Sequence, residues 1–158
     1  MTEGSRARVV LPKLPVDADV ILTTGEKVRG TFFVAPASAH RPGPETLLEL
    51  LNEDARSFVP FQSEEGMLLL NRTTIRLVSF ASPELLQLFS APDNENIYGI
   101  TLVLSGDAHK ITGYCHTGDL RPETRRPIDL LNSSEVFLLV YSERLMLINK
   151  TAISHASL

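Results

Sequence analysis

The feature that most constrains this chain is a segment it contains twice. Leu50-Leu51-Asn52, Phe58-Val59-Pro60-Phe61 and Leu69-Leu70-Asn71-Arg72-Thr73-Thr74-Ile75 recur in the same order as Leu130-Leu131-Asn132, Phe137-Leu138-Leu139-Val140 and Leu147-Ile148-Asn149-Lys150-Thr151-Ala152-Ile153. Upstream the match continues, with Val20 to Gly25 against Thr101 to Gly106 and Val28-Arg29-Gly30 against Ile111-Thr112-Gly113. The offset between matched residues drifts from 81 at Gly25/Gly106 to 83 at Gly30/Gly113, 80 at Asn52/Asn132 and 78 at Asn71/Asn149. Insertions and deletions therefore fall between the matched segments, where loops belong. An internal duplication of this kind predicts two units of about 60 residues, each too small to bury much surface alone, so the copies are expected to pack on each other.

Composition narrows the class further. Of 158 residues, 43% are apolar and 22% charged, which is ordinary globular usage. The longest apolar runs, such as Val136 to Tyr141, are too short to span a bilayer. The first residues lack the apolar core of a secretory signal and Cys115 has no cysteine to pair with, so a cytoplasmic, bacterial-type setting is expected. A net charge of −4 opposes nonspecific attraction to polyanions.

Taken in order, residues 1–17 read as an extended arm, with Pro12 and Pro15 blocking a helix and Val9-Val10-Leu11 able to dock on a sheet edge. The first unit, 18–80, opens with a hairpin: a strand from Val20 to Thr24, a Gly25-Glu26-Lys27 turn, and a strand from Val28 to Val34. After a proline-rich loop, the leucines of Glu45 to Leu51 predict a helix of two turns with Pro44 near its first position and Asn52 ending it in the left-handed conformation. Phe58 to Gln62 and Met67 to Leu70 form a second hairpin, and Asn71-Arg72 turns into a last strand whose Ile75 and Leu77 share one face while Arg76 and Val78 take the other. A helical linker, 81–98, follows, with Ser82 as cap and Pro83 in the first turn. The second unit, 99–158, repeats the order, with a helix near Ile128 to Leu131.

Val20 to Gly30 shows apolar-x-apolar-x-x-Gly-x-x-x-x-Gly, and Met67 to Ile75 shows four apolar residues, a two-residue turn and an Ile opening the last strand. These resemble the first and second motifs of Sm-like barrels, over roughly half the chain. The resemblance implies a mainly β fold of two tandem five-stranded Sm-like or SH3-like barrels, each with a short inserted helix. It also implies inherited RNA binding. Similarity is also seen to bacterial domains carrying a Leu-Asn, Phe, Asn-Arg-x-x-Ile pattern, which imply no activity. Sm-like RNA binders hold a base with an Asp-x-aromatic-Asn loop and an Arg-Gly turn. Here a proline-rich loop and helix replace the first, and Asn71-Arg72 and Asn149-Lys150 replace the second. With no Trp and few aromatics outside apolar runs, stacking platforms for bases are scarce, and nucleic acid is not the expected partner.

Chemistry-bearing constellations are sparse. His40, His109, His116 and His155 are scattered, and the adjacent Cys115-His116 pair cannot close a zinc site alone. Neither a nucleophile elbow nor a phosphate-binding glycine loop occurs. Arg121-x-x-x-Arg125-Arg126 resembles the opening of the cyclic-dinucleotide motif of PilZ barrels, where guanidinium forks grip phosphate, but the second half of that motif is missing. Asn71 and Asn149 are expected to form turns at positive φ. The expected function is thus non-enzymatic: a cytoplasmic scaffold or regulatory protein-interaction module, self-association included, with no cofactor and no metal. RNA binding and phosphate or nucleotide sensing through Arg121, Arg125 and Arg126 are the competing classes.

Overall fold

The computed structural model describes residues 13–90, 95–106, 108–118, 120, 123 and 125–158. The arm's first twelve residues, with the expected docking of Val9 to Leu11, lie outside these. The described chain is mainly β. Its ten strands are β1 (Leu14–Leu22), β2 (Lys27–Val34), β3 (Phe58–Ser63), β4 (Gly66–Asn71), β5 (Ile75–Phe80), β6 (Ile97–Leu104), β7 (Lys110–His116), β8 (Phe137–Tyr141), β9 (Leu145–Asn149) and β10 (Ile153–Ser157). Three short helices join them: α1 (Leu47–Leu51), α2 (Pro83–Ser90) and α3 (Pro127–Leu131).

All strands belong to one antiparallel sheet in the order β10-β6-β7-β8-β9-β5-β1-β2-β3-β4. Five strands from each half of the chain thus appear in the same order, fifth-first-second-third-fourth. The expectation of two closed barrels is corrected on this point. The fifth strand of the first half does not return to its own fourth strand; its outer edge is taken by β9, with Leu77 opposite Ile148 and Phe80 opposite Leu145.

Local chemistry explains most boundaries. β1 begins at Leu14, inside the span read as an arm. Pro15 is tolerated there because β1 pairs with β5 only from Ala18 onward, so the missing N–H leaves no ladder bond unmade. Helix α1 starts later than the leucine pattern suggested. Thr46 is its cap, its hydroxyl accepting the Glu49 N–H at 3.2 Å while Glu49 Oε1 accepts the Thr46 N–H at 2.9 Å, a reciprocal pair that leaves Pro44 outside. Ser82 caps α2 as the sequence indicates, accepting the Leu85 N–H at 3.3 Å. Gly30 and Gly113 mark matched close approaches. A Cβ at Gly30 would collide with the Gln62 carbonyl, and at Gly113 it would lie 2.6 Å from the Tyr141 carbonyl oxygen. Each second strand crosses its third at a point where only glycine fits.

Two hydrophobic cores result. The first gathers Val20, Phe32, Leu47, Leu50, Leu51, Phe61, Val78 and Phe80, and also Phe137, Leu139, Leu145 and Leu147 from the second half. The second gathers Ile100, Leu102, Leu104, Ile111, Leu138, Val140 and Ile148, and also Leu77 from the first half. Strands β8, β9 and β5 therefore feed alternate residues to different cores. This is why Phe137-Leu138-Leu139-Val140 reads as an unbroken apolar run instead of an alternation. It also corrects the two-faced reading of β5, in which Ile75 joins Val78 and Phe80 in the first core and Leu77 alone turns to the second.

Candidate functional site

The paired Asn-basic turns combine backbone and side-chain roles. Asn71 Oδ1 accepts the Thr73 N–H at 3.1 Å and its hydroxyl at 2.9 Å; Asn149 Oδ1 accepts the same groups of Thr151 at 3.0 and 2.8 Å. Each caps a 3-10 turn with φ of −72° and −65°, so the expected positive φ is overturned. The side-chain acceptor makes the turn, and no left-handed backbone is needed. The residue that follows reaches back to the small helix of its own half. Arg72 Nη1 donates to Leu51 O (3.2 Å) and Glu53 O (2.6 Å), and Lys150 Nζ donates to Leu130 O (2.7 Å) and Ser133 O (3.2 Å). Both cations satisfy carbonyls at or just beyond a helix C-terminus. Burial pushes the Lys150 ammonium below its ordinary pKa. The co-recurrence of Leu-Leu-Asn with the Asn-basic turn was the sequence signal for this bond, and it went unread.

The basic loop is only partly described, since Arg121 lies outside the described residues. Arg125 Nε donates to Leu120 O at 2.9 Å, and the Arg125 carbonyl accepts the Tyr98 hydroxyl at 3.2 Å. Arg126 pairs with Asp129 through two bonds, 2.8 and 3.1 Å, across the first turn of α3. Asp129 is held below the usual carboxylate range by that guanidinium. Arg125 and Arg126 thus already meet oxygen acceptors within the chain.

A cleft where the halves meet is lined by His116, Ser133, Ser134 and Glu135 among leucines. Ser133 Oγ donates to Leu130 O and accepts Lys150 Nζ, both at 2.8 Å, and His116 Nδ1 accepts the Gly118 N–H at 3.2 Å. The base within hydrogen-bond reach of Ser133 is therefore Lys150, whose ammonium also donates to the Leu130 and Ser133 carbonyls, while His116 Nδ1 is engaged by the Gly118 N–H. The fully buried Cys115 has its thiol pushed up to about 11 by desolvation, which keeps it protonated at neutral pH.

The remaining distinctive surface is apolar. On the outer face of β3 and β4, Phe58 is 56% exposed and Leu69 65% exposed, with Met67 exposed beside them; Leu68, opposite Phe61, is exposed on the other face. Their matched positions on β8 and β9 are buried: Phe137 at 1% and Leu147 at 0%. The difference lies in what covers them. The second pair packs under the first half, where Asn52 Oδ1 accepts the Phe137 N–H at 2.8 Å. On the other side of the seam, Asn149 Nδ2 donates to Ile75 O at 2.9 Å. Asn52 itself sits at φ −92°, so it ends α1 without the left-handed conformation, and its side chain serves the seam. Among the described residues, β4 pairs only with β3 and β10 only with β6, leaving two open edges. No known protein family, curated protein or solved structure matches this chain, so its reading rests on the seam, the two open edges and the apolar face beside one of them.

Proposed function

We propose that the protein is a non-enzymatic scaffold or regulatory interaction module, cytoplasmic, built as two tandem Sm-like units that arose by duplication. The observation that carries this reading is the exposed cluster of Phe58, Met67 and Leu69 on the outer face of β3 and β4, beside an edge left open among the described residues. Large apolar side chains grouped on a surface are the usual content of a protein contact, and a free edge adds a row of backbone donors and acceptors. Among the described residues, the cations of the turns and of the basic loop already meet acceptors within the chain: Arg72 and Lys150 on helix carbonyls, Arg125 on Leu120 O and Arg126 on Asp129.

The test is capture of binding partners with and without nuclease, comparing the wild type with Phe58→Glu. Protein partners that survive nuclease and are lost in the variant support the reading. Binding of mixed-sequence oligonucleotides is expected no tighter than roughly the 10⁻⁴ to 10⁻⁶ M of nonspecific contacts at physiological salt. Submicromolar affinity that falls when Arg72 and Lys150 are neutralised would favour the RNA-binding class instead. Saturable binding of a cyclic dinucleotide, lost on neutralising Arg125, would favour ligand sensing.

A further inference from the structure

We infer that the slot between Phe89, Tyr114 and Tyr141 binds a small quaternary ammonium solute of the choline type, held by cation–π attraction. The inference goes beyond the interaction-module reading, since the Phe58 surface takes no part in it. The slot lies where the two halves share one backbone arrangement and differ in chemistry. In each half the second strand crosses the third at a glycine, Gly30 against the Gln62 carbonyl and Gly113 against the Tyr141 carbonyl. The residue after each glycine then stands opposite the residue that owns that carbonyl: Thr31 opposite Gln62, and Tyr114 opposite Tyr141. The first pair is polar and bonded nearby, Thr31 Oγ1 donating to Asp17 Oδ1 at 2.9 Å and Gln62 Nε2 to Ser63 O at 3.2 Å. The second pair is two tyrosines on one face of the sheet.

A third ring comes from α2, which has no counterpart among the described elements of the second half. Phe89 stacks on Tyr141 with ring centroids 5.4 Å apart and planes 29° from parallel, and it meets His116 edge-on at 6.3 Å. With Ile97 from β6 these rings line a slot of about 360 Å³, near the lower end of the roughly 300–1,000 Å³ of small-molecule sites, which suits a compact solute better than a peptide. Tyr114 is 53% exposed, so the slot opens to solvent. Aromatic faces are electron-rich and carry no ionised group, and an alkylated ammonium is the cation they suit, because it needs no hydrogen-bond partner in return for its water. A carboxylate or a bare ammonium entering the same slot would leave its own hydrogen bonds unmade. Charge agrees in sign. The chain carries −4 overall, and the segments that form the slot bring Glu95, two residues before Ile97, and Glu143, two residues after Tyr141. Arg144, which follows, is turned to Asp19 at 3.2 Å. His116 accepts the Gly118 N–H through Nδ1, so its ring is neutral in this arrangement.

The experiment titrates the full chain with choline and, separately, with dimethylbutanol, in which carbon replaces the nitrogen, at neutral pH and constant ionic strength. The chain has no Trp and three tyrosines, two of which line the slot, so tyrosine emission reports occupancy in the wild type. Saturation transfer to the choline methyl protons reads the variants. Choline is expected to saturate and to bind about tenfold more tightly than dimethylbutanol, the factor a desolvated cation–π contact supplies. Tyr114→Thr combined with Tyr141→Gln installs the pair found in the first half and is expected to abolish choline binding. Tyr114→Thr alone, at a half-exposed site, is expected to weaken choline while melting like the wild type, which separates loss of the slot from loss of the fold. Tyr114→Phe keeps the ring face and is expected to retain binding. Equal affinity for the two probes, binding that survives the double substitution, or a failure of choline to saturate overturns the inference. A peptide carrying trimethyl-lysine that binds where choline does not also overturns it, because the occupant would then be a protein side chain.

Discussion

Strands β3 and β4 and strands β8 and β9 are matched residue for residue and differ in what lies over them. In the first hairpin Phe58, Pro60, Met67 and Leu69 face solvent; β3 alternates between exposed and buried positions, and β4 is exposed from Met67 to Leu69 with only Leu70 buried. In the second, Phe137, Leu139, Leu145 and Leu147 are buried against the other half, and so are Leu138, Val140 and Ile148 on the opposite face. Sequence follows environment here. The exposed hairpin tolerates Pro60 and Gln62, whereas the doubly covered one carries Leu139 and Tyr141 at those positions. The same strand pair serves as a surface in one half and an interior layer in the other, and burial is decided by the neighbour as much as by the strand.

Substitutions can break this comparison, and the largest contrast is expected at Leu147 and Leu69. Leu147→Ala removes a fully buried side chain between the halves and should cost about 2–5 kcal/mol, while Leu69→Ala at the matched exposed site should stay within about 0.5 kcal/mol in the single chain. Urea titration at low protein concentration reads both, and equal midpoints would mean that the two hairpins are not in different environments. Next come the close approaches. Gly30→Ala and Gly113→Ala each place a methyl group against the backbone of the crossing strand and should destabilise by roughly 1–3 kcal/mol. Similar losses in both halves sharpen the match; a neutral Gly113→Ala would show that the second crossing is looser.

A smaller contrast is expected at the asparagines. Asn71→Ala loses a turn cap, worth about 1 kcal/mol, and Asn149→Ala loses the same cap together with a buried bond to Ile75 O. Thermal melts should therefore rank Asn149→Ala as the more damaging by about 1 kcal/mol. The smallest effect concerns Asp19, which accepts Arg29 Nε at 2.7 Å and Arg144 Nη1, from the second half, at 3.2 Å. The Arg29 bond, aided by Arg144, holds its pKa below the ordinary 3.8. A lowered folded-state pKa means that the ionised form favours folding. That contribution is complete above the ordinary value and is lost as pH falls through it toward the folded value. Asp19→Asn should therefore lower stability slightly at neutral pH, by the amount that the acid limb flattens, and leave the lowest pH unchanged; the effect is small because exposed pairs are screened.

How much could be read beforehand follows the range of the interactions. Strand and helix order came from periodicity, glycine turns and the Ser82-Pro83 start, all of them local. The repeat fixed which residues correspond. It could not say which edge of one half meets the other, because that depends on pairings such as Leu77 with Ile148, 71 residues apart, which no local pattern encodes. The asparagines show the same limit. Their turn chemistry was visible in Asn71-Arg72-Thr73, but the bonds from Asn52 to Phe137 and from Asn149 to Ile75 belong to the seam. Arg72 and Lys150 read from sequence only as the basic half of a recurring turn, because their acceptors are backbone carbonyls, which carry no sequence signature. At the basic loop, the spacing suggested forks for phosphate, and Asp129, three residues after Arg126, was the overlooked internal acceptor.

The seam also has a consequence for the order in which the chain is made. Hairpins such as β1–β2 and β3–β4 close within a few residues, and β5 can join β1 as soon as it emerges. Its other edge then waits for β9, whose Ile148 is synthesised 71 residues after Leu77. At about 5–20 residues per second, that is roughly 4 to 14 seconds in which a half-finished chain holds β5 uncovered. Neighbouring nascent chains on one messenger would meet in that interval with the same edge exposed. Slowing elongation between β5 and β9 should lengthen that exposure and raise the aggregated fraction of newly made protein, without altering the stability of the finished molecule.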